Sequence, residues 1–183
     1  MIPTFRLLLL LLLGSLLVAG IAWQPLMFWL AIGYVVLLGI AVAVDYAITT
    51  KAGEVEAERL NDSKLSLGAE NVITVLLANR SVRPLHFQLR DEYPYQFNSD
   101  AVILSGVVEP FNIYEARYHV KPLQRSDYTF GDINLRYIST MKLFVRQVRI
   151  AAQAQVKVYP NVLDVRKYDL LARKGLLFEI GLR

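Results

Sequence analysis

LLLLLLLGSLLVAGIAWQPLMFWLAIGYVVLLGIAVAV, residues 7–44, contains no charged side chain, and its apolar run is interrupted only at Trp23-Gln24-Pro25. Residues 7–22 and 26–44 give two uncharged segments of about 16 and 19 residues. A helix crossing roughly 30 Å of hydrocarbon needs about 17–25. The second clears that length and the first just reaches it. So short a loop allows only an antiparallel pair, with Pro25 opening the second helix and Trp23 at the interface. Ser15/Ala19 and Gly39/Ala43 are small residues four apart, a spacing that would let the two helices approach closely and that is also simply common in membrane helices.

The flanking cations orient this hairpin. Arg6 and the terminal amine precede it, Lys51, Arg59 and Lys64 follow it, and the connecting loop has none. The positive-inside rule then puts both ends, and everything after residue 48, in the cytoplasm of a plasma (inner) membrane. A second reading treats Arg6, the leucine run and Gly20-Ile21-Ala22 as a cleaved signal peptide. Residues 26–44 would then stop transfer and leave the remainder on the same side. Asn61-Asp62-Ser63 and Asn79-Arg80-Ser81 fit the glycosylation acceptor pattern, which has meaning only in a secreted chain.

Composition agrees with an anchored protein. Of the 183 residues 55% are hydrophobic, and the excess lies before residue 45. The absence of cysteine excludes disulfides, thiolate nucleophiles and cysteine zinc sites. The net charge of +4 divides into −2 through Met141 and +6 over 142–183. Those late cations are spread along the chain without a nucleic-acid motif, so no nucleic acid is expected as a partner. The lipid bilayer is the expected one.

From Glu54 onward the apolar period changes from helical to two. Glu54, Glu56 and Glu58 alternate with Val55 and Ala57, and a shift at Arg59 brings in Leu60. Strands are predicted over 54–60, 64–67, 71–78, 85–90, 101–108, 113–121, 127–130, 133–139, 142–150 and 155–159, with Gly68 as a turn and 91–100 as a loop. Residues 71–78 are apolar on both faces, as in a strand at a sandwich centre. Turn signals every 8–12 residues describe an antiparallel immunoglobulin-like sandwich over 54–160. After Pro160 a helical period returns, with Asn161 as N-cap and Arg173-Lys174-Gly175 as a basic last turn, so 161–183 is predicted to be a short helix that begins a further C-terminal region.

The predicted organisation is therefore a two-helix transmembrane hairpin over 1–48, a sandwich over 54–160 and a linker helix over 161–183. No catalytic, cofactor-binding or metal site is expected within it. His86 and His119 fall on the polar sides of their strands with no second ligand or orienting carboxylate placed beside either. Asp91-Glu92 could form a carboxylate pair, but adjacent strand residues point to opposite faces. Tyr93, Tyr95, Phe97, Phe111 and Tyr114 cluster near loops and read as core and edge packing or as a docking surface for a partner.

In this order the elements resemble bacterial proteins grouped as domain of unknown function 58. The residues that carry the likeness are Leu67-Gly68-Ala69-Glu70 leading into 72–79, Arg83-Pro84-Leu85, Leu89-Arg90-Asp91-Glu92-Tyr93-Pro94, Tyr128-Thr129-Phe130-Gly131-Asp132-Ile133 and Val158-Tyr159-Pro160. Two places depart from it: Arg125-Ser126 stands where Arg-Gly is usual, and 138–143 replaces a Pro-Leu-Gly-Leu-like turn. The resemblance implies a von Willebrand factor A-like domain downstream and association with a MoxR-type AAA+ ATPase. It further implies a non-enzymatic scaffold or interaction protein that assists assembly or remodelling of complexes. The alternative expectation is an exported cell-surface or periplasmic binding module held by the same helices.

Overall fold

The computed structural model describes residues 1–100 and 103–160. In chain order the described elements are β1 (Ile2–Pro3), α1 (Phe5–Gly20), α2 (Leu26–Ile48), a 3-10 turn (Ala52–Glu54), β2 (Val55–Leu60), β3 (Lys64–Leu67), β4 (Asn71–Asn79), β5 (Leu85–Asp91), β6 (Phe97–Ser99), β7 (Leu104–Val108), β8 (Ile113–Pro122), β9 (Asp127–Phe130), β10 (Ile133–Ile138), β11 (Phe144–Ile150) and β12 (Ala154–Pro160). The helix expected over 161–183 lies outside the described residues.

The two helices form an antiparallel pair, as the short loop requires. At 1.5 Å per residue, the 23 residues of α2 reach about 35 Å and the 16 of α1 about 24 Å. By length and composition α2 is able to cross a membrane, and α1 is a shorter apolar helix. The helices meet elsewhere than at the two small-residue pairs, which leaves the alternative reading, that such residues are simply common in membrane helices. Ser15, Ala19, Gly39 and Ala43 are exposed, and nothing would touch a Cβ placed on Gly39. Contact runs instead through Gly14, where an added Cβ would stand 3.0 Å from the Tyr34 ring, and the Tyr34 hydroxyl donates to the Leu10 carbonyl at 2.7 Å. The absence of a side chain on Gly14 makes room for the Tyr34 ring, a pairing of one small and one large residue that small-residue spacing along either helix does not reveal.

The remainder is a β-sandwich. A five-stranded sheet of order β1-β11-β10-β5-β7 and a four-stranded sheet of order β2-β4-β8-β6 are antiparallel throughout. The third sheet, β3-β12-β9, breaks the all-antiparallel expectation, because β12 runs parallel to β3. All three sheets send alternate residues into one core that includes Ile73, Val75, Phe87, Tyr118, Phe130, Leu135 and Val158.

Further sequence expectations need correction. Although β4 sits between two strands, its second face lies at the surface: Val72 is exposed and Thr74, Leu76 and Ala78 are half-buried. Residues 97–99, assigned to a loop, form edge strand β6 against β8, and residues 2–3 add an edge strand before the helices. The shift at Arg59 does not occur either. The alternation of β2 carries straight through, leaving Leu60 exposed and the Arg59 side chain inside.

Candidate functional site

Two buried polar clusters distinguish this fold from a plain sandwich, and the first joins the sandwich to the helices. Asp45 lies in the last turns of α2 and is fully buried. Its carboxyl oxygens accept from the Ser139 hydroxyl at 2.6 Å, the Met141 N–H at 2.7 Å and the Leu143 N–H at 3.3 Å. All three donors belong to the turn between β10 and β11. That turn also receives the start of α1, where the Thr4 hydroxyl donates to the Lys142 carbonyl at 2.7 Å and the Thr4 N–H to the Leu143 carbonyl at 3.0 Å. β1 then continues the clamp by pairing with β11. Both free ends of the hairpin are thus fastened to one turn of the sandwich.

A second layer lies just behind this turn. The Tyr137 hydroxyl and Arg146 both donate to the Thr50 carbonyl at 2.9 Å, and the Thr50 and Ser81 hydroxyls are 3.0 Å apart. Burial pushes the Tyr137 hydroxyl above its ordinary pKa, although Arg146 opposes the shift. The neutral phenol is therefore the form that holds the segment following α2.

The second cluster is inside the sandwich. The β5 alternation that buries Leu85, Phe87 and Leu89 also turns Asp91 inward. Arg59 meets it from β2 in a two-pronged ion pair, with Nε donating at 2.8 Å and Nη2 bonding the other carboxylate oxygen. The guanidinium also donates to the Ala152 carbonyl at 2.6 Å and the Gly131 carbonyl at 2.9 Å, and it lies 4.7 Å from the Phe130 ring centroid. The Tyr118 hydroxyl completes the set by donating to Asp91 at 2.6 Å. Among the described residues no buried side-chain nitrogen or oxygen lacks a partner, so Asp91 is fully engaged in holding β2, β5 and β8 together.

Burial, with the adjacent Asp91 charge, pushes the Tyr118 hydroxyl well above its ordinary pKa. A raised folded-state value means that the stabilisation is fully present below about pH 10, the unfolded tyrosine value, and is lost as pH rises beyond it. Alkaline unfolding followed by circular dichroism is expected to begin near that pH in the wild type. The slope should be shallower in Tyr118→Phe, which has no proton to lose there.

The sequence candidates are placed as follows. Glu92 points away from Asp91, accepts from the Asn134 amide at 2.7 Å and braces the turn at Gly131 and Asp132. The two carboxylates do not share a site. His86 is exposed near the junction. His119 is exposed too but does have a carboxylate beside it: Asp100 lies 3.0 Å from its Nδ1 and accepts from its backbone N–H at 2.8 Å. Pairing of β6 with β8 brings these two together, which a loop assignment for 91–100 could not foresee. The His119 N–H, and then its ring, hold the Asp100 carboxyl below the usual carboxylate range.

The five aromatics are not gathered into one surface. Phe97 is core, Tyr114 packs on Phe87 at 5.1 Å, and Tyr93 lies 6.2 Å from Tyr118. Tyr95 and Phe111 stand in solvent. Among the described residues no three His, Cys, Asp or Glu side chains are grouped to hold a metal. The outer face of the five-stranded sheet carries an open polar groove of about 520 Å³ bordered by Gln88, Arg90, Arg136 and Gln147.

No family model matches the chain, and no curated protein does. Solved structures similar to parts of it include the ASH/PapD-like domain 7 of human CEP192, at 14% identity and a TM-score of 0.43, covering 62% of this chain and 92% of that one. Another is the CARDB domain of a Pyrococcus furiosus protein, at 12% identity and a TM-score of 0.42, covering 59% and 96%. A FixG-related protein from Vibrio parahaemolyticus is similar at 12% identity and a TM-score of 0.38, covering 57% and 96%. At these values the likenesses add nothing to the sandwich architecture already given by the strand order.

Proposed function

We propose that the protein is a membrane-anchored, non-enzymatic scaffold that holds its sandwich at a fixed attitude to the bilayer and presents it to a protein partner in the cytoplasm. The observation that carries this reading is the Asp45 clamp. A flexible tether would suffice to keep a domain near a membrane, whereas burying a carboxylate under three donors of one turn fixes orientation. The apolar length of α2 and the cations that flank the hairpin support the membrane placement and the cytoplasmic side. The resemblance to domain of unknown function 58 proteins supports a MoxR-type AAA+ ATPase as the partner.

Single cysteines at Ser63 and Gln88, both exposed in the cysteine-free chain, test the placement. In intact cells a membrane-impermeant maleimide should leave them unlabelled, and cell lysis should make them reactive. Ready labelling in intact cells would put the sandwich outside and favour an exported binding module.

A further inference from the structure

We propose that the cavity at the base of α2 binds the phosphate of an anionic phospholipid headgroup. This rests on the reading of α1 and α2 as membrane helices. The cavity, of about 250 Å³, is lined by Arg83, Lys142, His86 and the Thr49, Thr50 and Thr140 residues, and no aspartate or glutamate is among its lining residues. That volume exceeds a phosphate with several waters, at about 30 Å³ per water. Among the described residues neither Arg83 nor Lys142 has a carboxylate within ion-pair distance. Two cations therefore border one concavity without internal neutralisation, which is the charge pattern that an anion completes.

Its height on the molecule matches the headgroup layer. Thr49 and Thr50 immediately follow Ile48, the last residue of α2, and Asp45 holds the Met141 N–H against that helix end. Beside the cations two apolar side chains are displayed to the surroundings, Val82 at 73% exposure and Met141 at 44%. An apolar tip next to a cation, where a spanning helix leaves the hydrocarbon, is the pairing that the bilayer interface accommodates.

The backbone provides an independent sign. Lys142 has φ 63°, the left-handed region, where a side chain is strained and glycine is not. Only Phe111 shares this feature among the described non-glycine residues. The turn thus places a cation at the cavity at a cost in stability, the relation expected of a ligand-binding position.

The two effects separate in one variant. Lys142→Gly should leave the thermal midpoint of the full 183-residue protein equal to or above wild type, since it relieves strain. The same change should reduce retention of anionic lipid. The probe is phosphatidylglycerol mixed as the minor component with phosphatidylcholine. Protein reconstituted in these vesicles is extracted in mild detergent, and retained lipid is counted by native mass spectrometry. Wild type is expected to enrich phosphatidylglycerol over its share, with about a fivefold fall for Lys142→Gly and for Arg83→Gln.

Retention in proportion to the mixture, or unchanged enrichment in both variants, overturns the proposal. Displacement by millimolar inorganic phosphate overturns the lipid assignment in favour of free phosphate. Resistance of the wild type to alkaline carbonate extraction is scored separately, so a failure of the membrane reading is distinguishable from a failure of the site.

Discussion

Replacing Asp45 with alanine is expected to cost about 3 kcal/mol and to release the sandwich from its fixed attitude to the helices. The carboxylate satisfies the Ser139 hydroxyl and the Met141 and Leu143 N–H groups, and it is fully buried. Its removal leaves the Ser139 hydroxyl and the Met141 N–H to find water or remain unpaired, at roughly 1–3 kcal/mol for each that stays buried, while the Leu143 N–H keeps the Ser139 oxygen at 3.0 Å. Asp45→Asn should do only slightly better, because its amide turns a donor toward donors. Ser139→Ala removes one of the three donors and also the oxygen that accepts from the Leu143 and Phe144 N–H groups at 3.0 and 3.1 Å, and should cost about 1–3 kcal/mol. Thermal unfolding in detergent gives the stabilities. The sandwich core does not include Asp45, so its own circular dichroism should survive in Asp45→Ala. Loss of all β-signal at low temperature would mean that Asp45 belongs to the core of the domain itself.

A comparable loss is expected inside the sandwich. Asp91→Ala strands the Arg59 guanidinium, whose side chain is 1% exposed, and the expected cost is about 3–5 kcal/mol by urea denaturation. The double variant Arg59→Met with Asp91→Leu removes both charges and should recover a large part of that loss, since apolar residues of similar volume replace buried ion pairs at little cost. The Ala152 and Gly131 carbonyls then lose their donor, which sets a limit on the recovery. If the double variant is no better than Asp91→Ala, the pair does more than neutralise itself, and its bonds to those two carbonyls carry the stability.

Much of this architecture is legible in the sequence, and several of the failures share a physical cause. The period of two marks out the positions of most strands because inward residues at every second position are apolar. It fails where the inward residue is charged. Arg59 sits on the inward register of Val55 and Ala57, but a charge there reads as a register shift unless its partner is known. Asp91 likewise continues the series Leu85, Phe87, Leu89, one residue beyond the predicted strand end. Each charge hides the other, since burial of either is reasonable only when both are seen together.

The same holds for Asp45. An aspartate after 19 apolar residues marks the end of the apolar run and reads as a solvated charge, yet it is buried because the turn after β10 covers it. Contacts between residues almost a hundred positions apart leave no local signature. β6 was obscured differently, since Pro94, Asn98 and Ser99 are turn formers and only pairing with β8 makes that segment a strand.

The rigid junction is tested most directly by double electron–electron resonance between spin labels on cysteines replacing Val36 in α2 and Gln88 in β5, both exposed, with the protein in lipid nanodiscs. The wild-type background should give one narrow distance distribution, and adding Asp45→Ala should broaden it. A broad distribution in the wild-type background, or one left unchanged by Asp45→Ala, would contradict a sandwich held in place by this clamp.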